Sequence, residues 1–483
     1  MSPGDGPVDL RNLTTGELDV VDRAYLQFIN PGDLRVMDNT CGACHADVVT
    51  RVLRSSMGHT SGEITVARFR AGVQDENLAE VGAYAIVDDN HDSTMFGASP
   101  SIERFDPPLV DNPATATVGE LQDDYMARSC FRCHLSDFGE NRFAGDYRSS
   151  GCTACHMPYA DDGVSRSDDP VMSDLRVPRP ETHALTSAVP DSQCMHCHYR
   201  GARIGPSYNG FRESGGPGRN PEHPEVLGQA LHGHDASYYL TDENKENDVD
   251  ETPPDVHQQA GMGCIDCHTE LEVHGDGHIY ADNQLLTEIR CESCHGTIDA
   301  VATGLTSRSN ALSNLSVDDD GVFTLSSKLI AGRTWVVPQL VHAMTPGHDA
   351  YSASSHAAMG RFDSGYSHTD NMRCSTCHST WMPSCYGCHI TMDYSAFSRR
   401  QTTGERSLGR PSGARDWVVL DDLVLMHDPY GRISPSMPAE RFTMSVKDEN
   451  GDLIRELEPR RRGGQLGFGQ RTVEPHTIQR WSS

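Results

Sequence analysis

The sequence predicts a fold with little regular secondary structure, in which short α-helices surround bound groups and β-structure is limited to minor hairpins. Three observations lead to this prediction. Only 36% of the 483 residues are hydrophobic, the sixteen cysteines fall into eight short motifs, and long segments rich in Pro, Gly and Asp separate those motifs. A chain with so few apolar side chains is expected to fill part of its interior with something else.

The charge of the chain excludes two classes of partner. Forty Lys and Arg stand against 69 Asp and Glu, which gives a net charge of −29. A nucleic-acid binder needs a basic face for phosphates, and an anionic membrane surface would repel this chain. No secretory signal opens the sequence, and apolar stretches such as Val81–Val87 are far shorter than the roughly 18 residues of a transmembrane helix.

Every cysteine belongs to a C-x-x-C-H motif, and none is left over. With 24 histidines in 483 residues, a histidine after all eight pairs has a chance probability on the order of 10⁻¹⁰. The cysteines of motifs 1 to 8 are Cys41 and Cys44, Cys130 and Cys133, Cys152 and Cys155, Cys194 and Cys197, Cys264 and Cys267, Cys291 and Cys294, Cys374 and Cys377, and Cys385 and Cys388. The motif histidines are His45, His134, His156, His198, His268, His295, His378 and His389.

Disulfides, zinc ribbons and covalent attachment of haem compete to explain these pairs. The histidine decides between them, because neither zinc nor disulfide bonding requires it, whereas haem uses two thioethers and an adjacent imidazole on iron. On a helix the three residues lie at i, i+3 and i+4 and share one face. The sequence therefore predicts eight covalent haems (heme c) with their iron, each on a short helix.

The spacing of the motifs predicts four regions. Residues 1–125 hold haem 1, residues 126–262 hold haems 2 to 4, and residues 263–340 hold haems 5 and 6 with a β hairpin. Residues 341–483 hold haems 7 and 8 and a β-rich tail. Only eleven residues separate the first cysteines of motifs 7 and 8, so these two haems are expected to be near neighbours.

Two segments outside the motifs have the pattern of strands. Val322–Trp335 follows the turn dipeptide Asp320-Gly321, and Arg441–Glu456 alternates around Asn450-Gly451. Asp-Gly and Asn-Gly favour tight hairpin turns. Small β hairpins are therefore expected beside the haem array.

Sixteen histidines lie outside the motif position and could supply the second axial ligands. His257 and His274 flank motif 5 too closely to cap its own haem, so they are expected to serve neighbouring haems. His427 and His476 follow the last motif, where ligation would explain a tail that folds back. The eight predicted second ligands are His183, His257, His274, His342, His356, His368, His427 and His476.

Several stretches resemble the large multihaem c-type cytochromes of metal-reducing and related deltaproteobacteria. The matching segments include 30–36 before motif 1, 147–156, 194–205, 250–257, 273–277 and 374–389. The resemblance implies a multihaem (octahaem) cytochrome c fold and electron transfer through a chain of haems, in the periplasm or outside the cell. Related chains often carry further motifs beyond a segment like Pro475-His476-Thr477. An end six residues after Thr477 is expected of a short relative or of a fragment.

An electron carrier is the favoured function, with other redox proteins or an extracellular acceptor as partners. One alternative is an octahaem oxidoreductase for a small nitrogen or sulfur oxyanion, with one open iron. Such sites often use a C-x-x-C-K motif or a distal lysine, and the chain has no such motif and only three lysines. A second alternative is the subunit of a cytochrome filament, or another homo-oligomer. Haem attachment takes place outside the cytoplasmic membrane, so a periplasmic, extracellular or cell-surface location is expected.

Overall fold

A computed structural model describes most of the chain. The described residues are 22–75, 77–86, 95–133, 135, 148–159, 184–198, 203–213, 238–240, 250–401, 403, 405–412, 416–420, 423–438, 441–458 and 470–480. The positions of His134 and His183, two of the predicted iron ligands, lie outside them.

The helices are short, as expected, and many of them begin at or near a motif. The longest described helix has only 13 residues. None of the described helices combines the length and the apolar character that crossing a bilayer would require. They are α1 (Arg23–Ile29), α2 (Gly42–Arg54), α3 (Ser56–His59), α4 (Ser61–Arg70), α5 (Val118–Ser129), α6 (Thr153–His156), α7 (Asp191–His198), α8 (Ile204–Tyr208), α9 (Val256–Gln259), α10 (Cys264–Cys267), α11 (Glu270–His274), α12 (Cys291–His295), α13 (Leu340–Met344), α14 (Ala353–Met359), α15 (His368–Asn371) and α16 (Ser375–His378), with 3₁₀ turns at Cys130–Cys133 and Asn283–Leu285.

The strands form several small sheets and one larger sheet near the C-terminus. In the larger sheet the strands 406–412, 384–399, 441–447 and 453–457 lie side by side in that order, and strand 416–419 also pairs with strand 384–399. The strands are β1 (Val81–Gly82), β2 (Ala98–Ser99), β3 (Glu103–Arg104), β4 (Phe211–Glu213), β5 (Tyr238–Leu240), β6 (Ile279–Tyr280), β7 (Leu315–Val317), β8 (Phe323–Ser326), β9 (Thr334–Val336), β10 (Ser384–Arg399), β11 (Arg406–Ser412), β12 (Asp416–Val419), β13 (Val424–His427), β14 (Ile433–Pro438), β15 (Arg441–Lys447), β16 (Leu453–Leu457) and β17 (Gln470–Thr472).

Both predicted hairpins are present. The turn at Asp320-Gly321 joins β7 to β8, and the predicted strand Val322–Trp335 is divided into β8 and β9. The segment Arg441–Glu456 forms the antiparallel pair β15 and β16.

The C-terminal region, for which a β-rich tail was predicted, contains more than small hairpins, since five of its described strands form one sheet. The missed signal lies in β10, where Ile390, Met392 and Tyr394 alternate as buried residues. This period of two is that of a strand with one buried face.

The prediction that a helix carries every motif holds for motifs 1 and 3 to 7. Motif 2 occupies a 3₁₀ turn instead. Motif 8 is the clear exception, because Cys385–His389 lies within β10. There the pentapeptide pairs with β12 on one side and with the parallel strand β15 on the other. Strand pairing therefore overrides the helical spacing that the motif alone suggests.

The apolar core is divided into small clusters of three to five buried residues. One of them packs Leu121 of α5 against Met392 and Tyr394 of β10. A buried ion pair lies beside it: Arg128 Nε donates to Asp124 at 3.0 Å, and both side chains are 0% exposed. Arg128 also donates to Ser398 and Ser407, so this cluster holds α5, which ends at motif 2, to the C-terminal sheet.

Candidate cofactor-binding site

A continuous cavity of about 3570 Å³ runs through the protein. Pockets for ordinary small molecules have roughly 300–1,000 Å³, so this space is far larger than one such ligand needs. Its walls carry residues from every motif, and six motif histidines contribute to them. These are His45, His156, His198, His268, His295 and His378.

The cysteine side chains that the structure describes are all free thiols. A structural zinc site needs four converging ligands, and within the described ranges no three Cys, His, Asp or Glu side chains converge on one metal position. This geometry fits a bulky group attached along the cavity better than a zinc ribbon.

Three motif histidines face a histidine from elsewhere in the chain. The ring centroids of His156 and His274 are 6.0 Å apart, and those of His268 and His476 are 6.3 Å apart. The rings of the third pair, His257 and His295, are 6.2 Å apart. If each nitrogen bound one metal ion at about 2.0–2.1 Å, adding the ring radii would place the centroids roughly 6 Å apart. Each pair therefore has the spacing of two axial ligands on a single iron.

The second ring nitrogen of the motif histidines is fixed by a hydrogen bond. His156 Nδ1 lies 2.8 Å from the carbonyl oxygen of Thr186, and His295 Nδ1 lies 2.9 Å from that of Pro338. A carbonyl can only accept, so Nδ1 carries the proton and Nε2 keeps its lone pair. Metal-binding histidines almost always have such a partner, because it fixes the tautomer and the ring orientation.

The same arrangement recurs at other histidines of the cavity, with partners of two kinds. His378 Nδ1 bonds to the carbonyl of Gln479 at 3.1 Å. His268 Nδ1 bonds instead to the Glu272 carboxylate at 2.7 Å, and His257 Nδ1 bonds to Asp255 at 2.8 Å. These bonds also leave Nε2 of each ring as the ligating atom.

Burial keeps several of these imidazoles neutral, which is the form that binds a metal. It lowers the pKa of His476 to about 4, with a further contribution from the nearby His268. Burial also lowers the pKa of His198, His274 and His295.

Contacts between cysteines of different motifs establish which motifs are neighbours. Cys194 of motif 4 lies beside Cys264 of motif 5, and this neighbour, together with burial, raises the pKa of Cys264. The neighbouring Cys374 of motif 7 and burial likewise raise the pKa of Cys291 of motif 6.

Three further contacts complete the series of neighbouring motifs. Burial and the neighbouring Cys41 raise the pKa of Cys152 to about 12, which places motif 1 beside motif 3. The charge of Cys194 acts on Cys155 and that of Cys294 on Cys267, which joins motif 3 to motif 4 and motif 5 to motif 6. These contacts connect six of the eight motifs, in the order 1, 3, 4, 5, 6 and 7.

The C-terminal tail brings His476 to its position opposite motif 5. Thr477 Oγ1 donates to the carbonyl of Trp381 at 2.5 Å, and the N–H of Ile478 donates to Asp255 at 2.8 Å. Gln479 is bonded in both directions to His378 of motif 7. The tail is therefore held between two motifs by its own backbone.

The other predicted iron ligands occupy different surroundings. His342 stacks directly on His348, and their centroids lie 4.2 Å apart, which leaves no space for an iron between these two rings. His368 lines the cavity and bonds through Nδ1 to the Ala358 carbonyl, whereas His356 lies on α14 beside Tyr351. His427 is exposed on β13, and its Nδ1 bonds to the Gly431 carbonyl.

Motif 8 differs from the others at its histidine. His389 Nε2 lies 2.8 Å from the Ser445 hydroxyl, and Nδ1 lies 3.2 Å from the Thr443 hydroxyl. Both ring nitrogens are thus engaged by side chains of β15. In this arrangement the Nε2 of His389 is bonded to a hydroxyl and does not face the cavity.

Sequence reasoning missed the two carboxylates that bind axial histidines, Glu272 and Asp255. Their spacing held a usable signal, since Glu272 lies four residues after His268 and Asp255 two residues before His257. A carboxylate at i+4 on a helical turn can reach the ring, and one at an N-cap can bond to residues that follow.

Residues 228–296 match the model of the family described as cytochrome c554 and c-prime. The matched segment is a minor part of the chain and contains motifs 5 and 6. No curated protein and no solved structure matches the chain. The match supports a c-type cytochrome, a class of redox proteins that hold haem c by thioether bonds to its former vinyl groups and by axial ligands to its iron.

Proposed function

We propose that this protein is an electron-transfer cytochrome with eight covalent haems, most of them bound by two histidines. The observation that carries the proposal is the set of three imidazole pairs 6.0–6.3 Å apart in a cysteine-lined cavity. Haem supplies a one-electron iron couple, and the chain supplies its attachment, its axial ligands and its surroundings.

The pairs give specific second ligands for three haems. His274 serves the haem of motif 3, His476 that of motif 5, and His257 that of motif 6. None of these ligands lies beside the motif that it serves: His257 and His274 flank motif 5, and His476 lies in the tail. Each iron would therefore join two separate parts of the chain. Such cross-links account for a fold whose apolar clusters are small.

The contacts between cysteines of neighbouring motifs support a route for electrons. The route passes through the attachment sites in the order 1, 3, 4, 5, 6 and 7, so sequence order and spatial order agree from motif 3 to motif 7. With six-coordinate irons along this route, the protein exchanges electrons and makes no bonds in a substrate.

The partners are other redox proteins or an extracellular acceptor, in the periplasm or at the cell surface. The net charge of −29 favours a partner with a basic docking face, since opposite charges steer association. We expect transfer rates between the two proteins to fall as ionic strength rises.

Two spectroscopic measurements on the holoprotein test the proposal. Pyridine haemochrome analysis should give eight haems per chain, and electron paramagnetic resonance (EPR) of the oxidised protein should show predominantly low-spin iron. Bound zinc with no haem would refute the proposal. A high-spin signal from one haem in the unaltered protein would instead favour an enzyme with an open iron.

A further inference from the structure

The axial histidines have hydrogen-bond partners of two chemical classes. His156, His295 and His378 donate from Nδ1 to neutral backbone carbonyls. His268 of motif 5 donates to the carboxylate of Glu272 at 2.7 Å. The motif histidines of neighbouring sites therefore face different charges, although their pentapeptides are alike.

Glu272 is held in place by bonds to both of its oxygens. It is 9% exposed and lies on α11, one helical turn beyond His268. Its Oε1 accepts the N–H groups of Glu288 and Ile289, each at 2.6 Å, while Oε2 accepts the His268 proton. The N–H of Thr269 also donates to Oε2, at 3.3 Å. Four donors to one carboxylate keep it ionised and leave its negative charge directed at the imidazole.

A lysine contacts the backbone of the same motif histidine. Lys328 Nζ donates to the backbone carbonyl of His268 at 3.2 Å and not to the Glu272 carboxylate. It offsets part of the negative charge, but it leaves the hydrogen bond between the carboxylate and the ring unchanged. The ring therefore still shares its proton with an anion.

We propose that Glu272 is a positioning residue that gives the haem of motif 5 a lower reduction potential than the haem of motif 3. This inference rests on the proposed function, because it assumes that His268 binds iron. A carboxylate that accepts the Nδ1 proton makes the imidazole a stronger donor and stabilises ferric iron. His156 of motif 3 bonds to a neutral carbonyl and lacks this effect.

A second carboxylate acts in the same sense at the next site. Asp255 is 2% exposed and binds His257, which faces His295 of motif 6. The haems of motifs 5 and 6, which are neighbours on the proposed route, thus each have one axial histidine bonded to a buried carboxylate.

Glu272→Gln tests the proposal in the full holoprotein. Glutamine keeps the size of the side chain and can still accept the two backbone N–H groups, but its amide cannot accept the His268 proton at the same time. In a spectroelectrochemical titration we expect the most negative component to move upward by about 59 mV or more, a tenfold change in the equilibrium constant for one electron.

Glu270→Gln is the matched control. Glu270 lies on the same helix and loses the same charge, but it pairs with Arg51 at the surface and does not bond to His268. Its variant should leave the lowest component nearly unchanged. Equal shifts in the two variants, or no shift in Glu272→Gln with full haem content, would overturn the proposal.

A second variant covers the case in which Glu272→Gln does not accumulate. Glu272→Asp keeps the charge but shortens the side chain, so the bond to His268 lengthens and an upward shift of smaller size is expected. A potential equal to that of the unaltered protein would also count against the inference. The proposed function fails separately, if the unaltered protein lacks low-spin haems.

Discussion

The same pentapeptide has different surroundings in two regions of the protein. One region is the cavity with motifs 1 and 3 to 7, and the other is the C-terminal sheet with motif 8. In the cavity the motif lies on a short helix, and the histidines of motifs 3, 5, 6 and 7 donate Nδ1–H to a carbonyl or carboxylate. In the sheet it lies in β10, and both nitrogens of His389 face hydroxyls of β15. The motif specifies the attachment chemistry, whereas its neighbours decide its backbone conformation.

The difference has a consequence for haem attachment at motif 8. The pairing of β10 with β12 is irregular inside the pentapeptide, because the register shifts between Cys385 and Gly387. An extra residue of this kind interrupts the regular alternation of a strand. Motif 8 thus presents its attachment residues from paired but irregular β-structure, and not from a helical turn.

The largest expected effect comes from removing one attachment site in each region. Cys264→Ala with Cys267→Ala should remove one haem and lower the free energy of unfolding by more than about 5 kcal/mol, at about 24 cal/mol per Å³ of unfilled cavity. Cys385→Ala with Cys388→Ala should also remove one haem but cost less than about 2 kcal/mol, since the strand stays paired. Intact mass and guanidinium unfolding followed by circular dichroism measure both.

Two outcomes would break this comparison. An unchanged mass in the motif 8 variant would show that this motif carries no haem. Equal losses of stability in the two variants would show that the sheet depends on its haem as strongly as the cavity does.

A smaller effect is expected at the connection between the two regions. Arg128→Ala removes the guanidinium that donates to the buried Asp124 at 3.0 Å, together with the bonds to Ser398 and Ser407. Asp124 keeps the Tyr394 hydroxyl at 3.0 Å and the more distant Arg400 at 3.9 Å. Breaking a buried ion pair on one side costs about 3–5 kcal/mol. The unfolding midpoint should fall accordingly, and the signal of the sheet should be lost before the Soret absorbance changes.

The exposed pair of Arg361 and Asp299 provides the control. Arg361→Ala removes an ion pair of the same type whose side chains are 42% and 56% exposed. It should change the stability by less than about 1 kcal/mol. Similar losses for Arg361→Ala and Arg128→Ala would contradict a special role for the buried cluster.

The sequence was sufficient for those features that depend on local pattern. Helices at motifs 1 and 3 to 7 and the hairpin around Asn450-Gly451 follow from spacing and turn residues. The conformation of motif 8 was not predictable in this way, because it depends on strand pairing with residues 28 to 54 positions further along the chain.

The pairing of the histidines was likewise predictable only in part from the sequence. The prediction that His257 and His274 serve neighbouring haems rests on local distance, and in the structure both rings lie opposite histidines of other motifs. Which motif each one faces is a matter of long-range packing. The pairing of His476 with His268 joins residues 208 positions apart and required the folded tail.

The ligation of iron by histidines from different motifs is tested most directly by EPR of His476→Ala. The account predicts that one haem changes from low-spin to high-spin ferric iron while the haem content stays the same. His348→Ala, at an exposed ring stacked on His342, should leave the spectrum unchanged. A fully low-spin spectrum of His476→Ala with unchanged haem content would contradict the account.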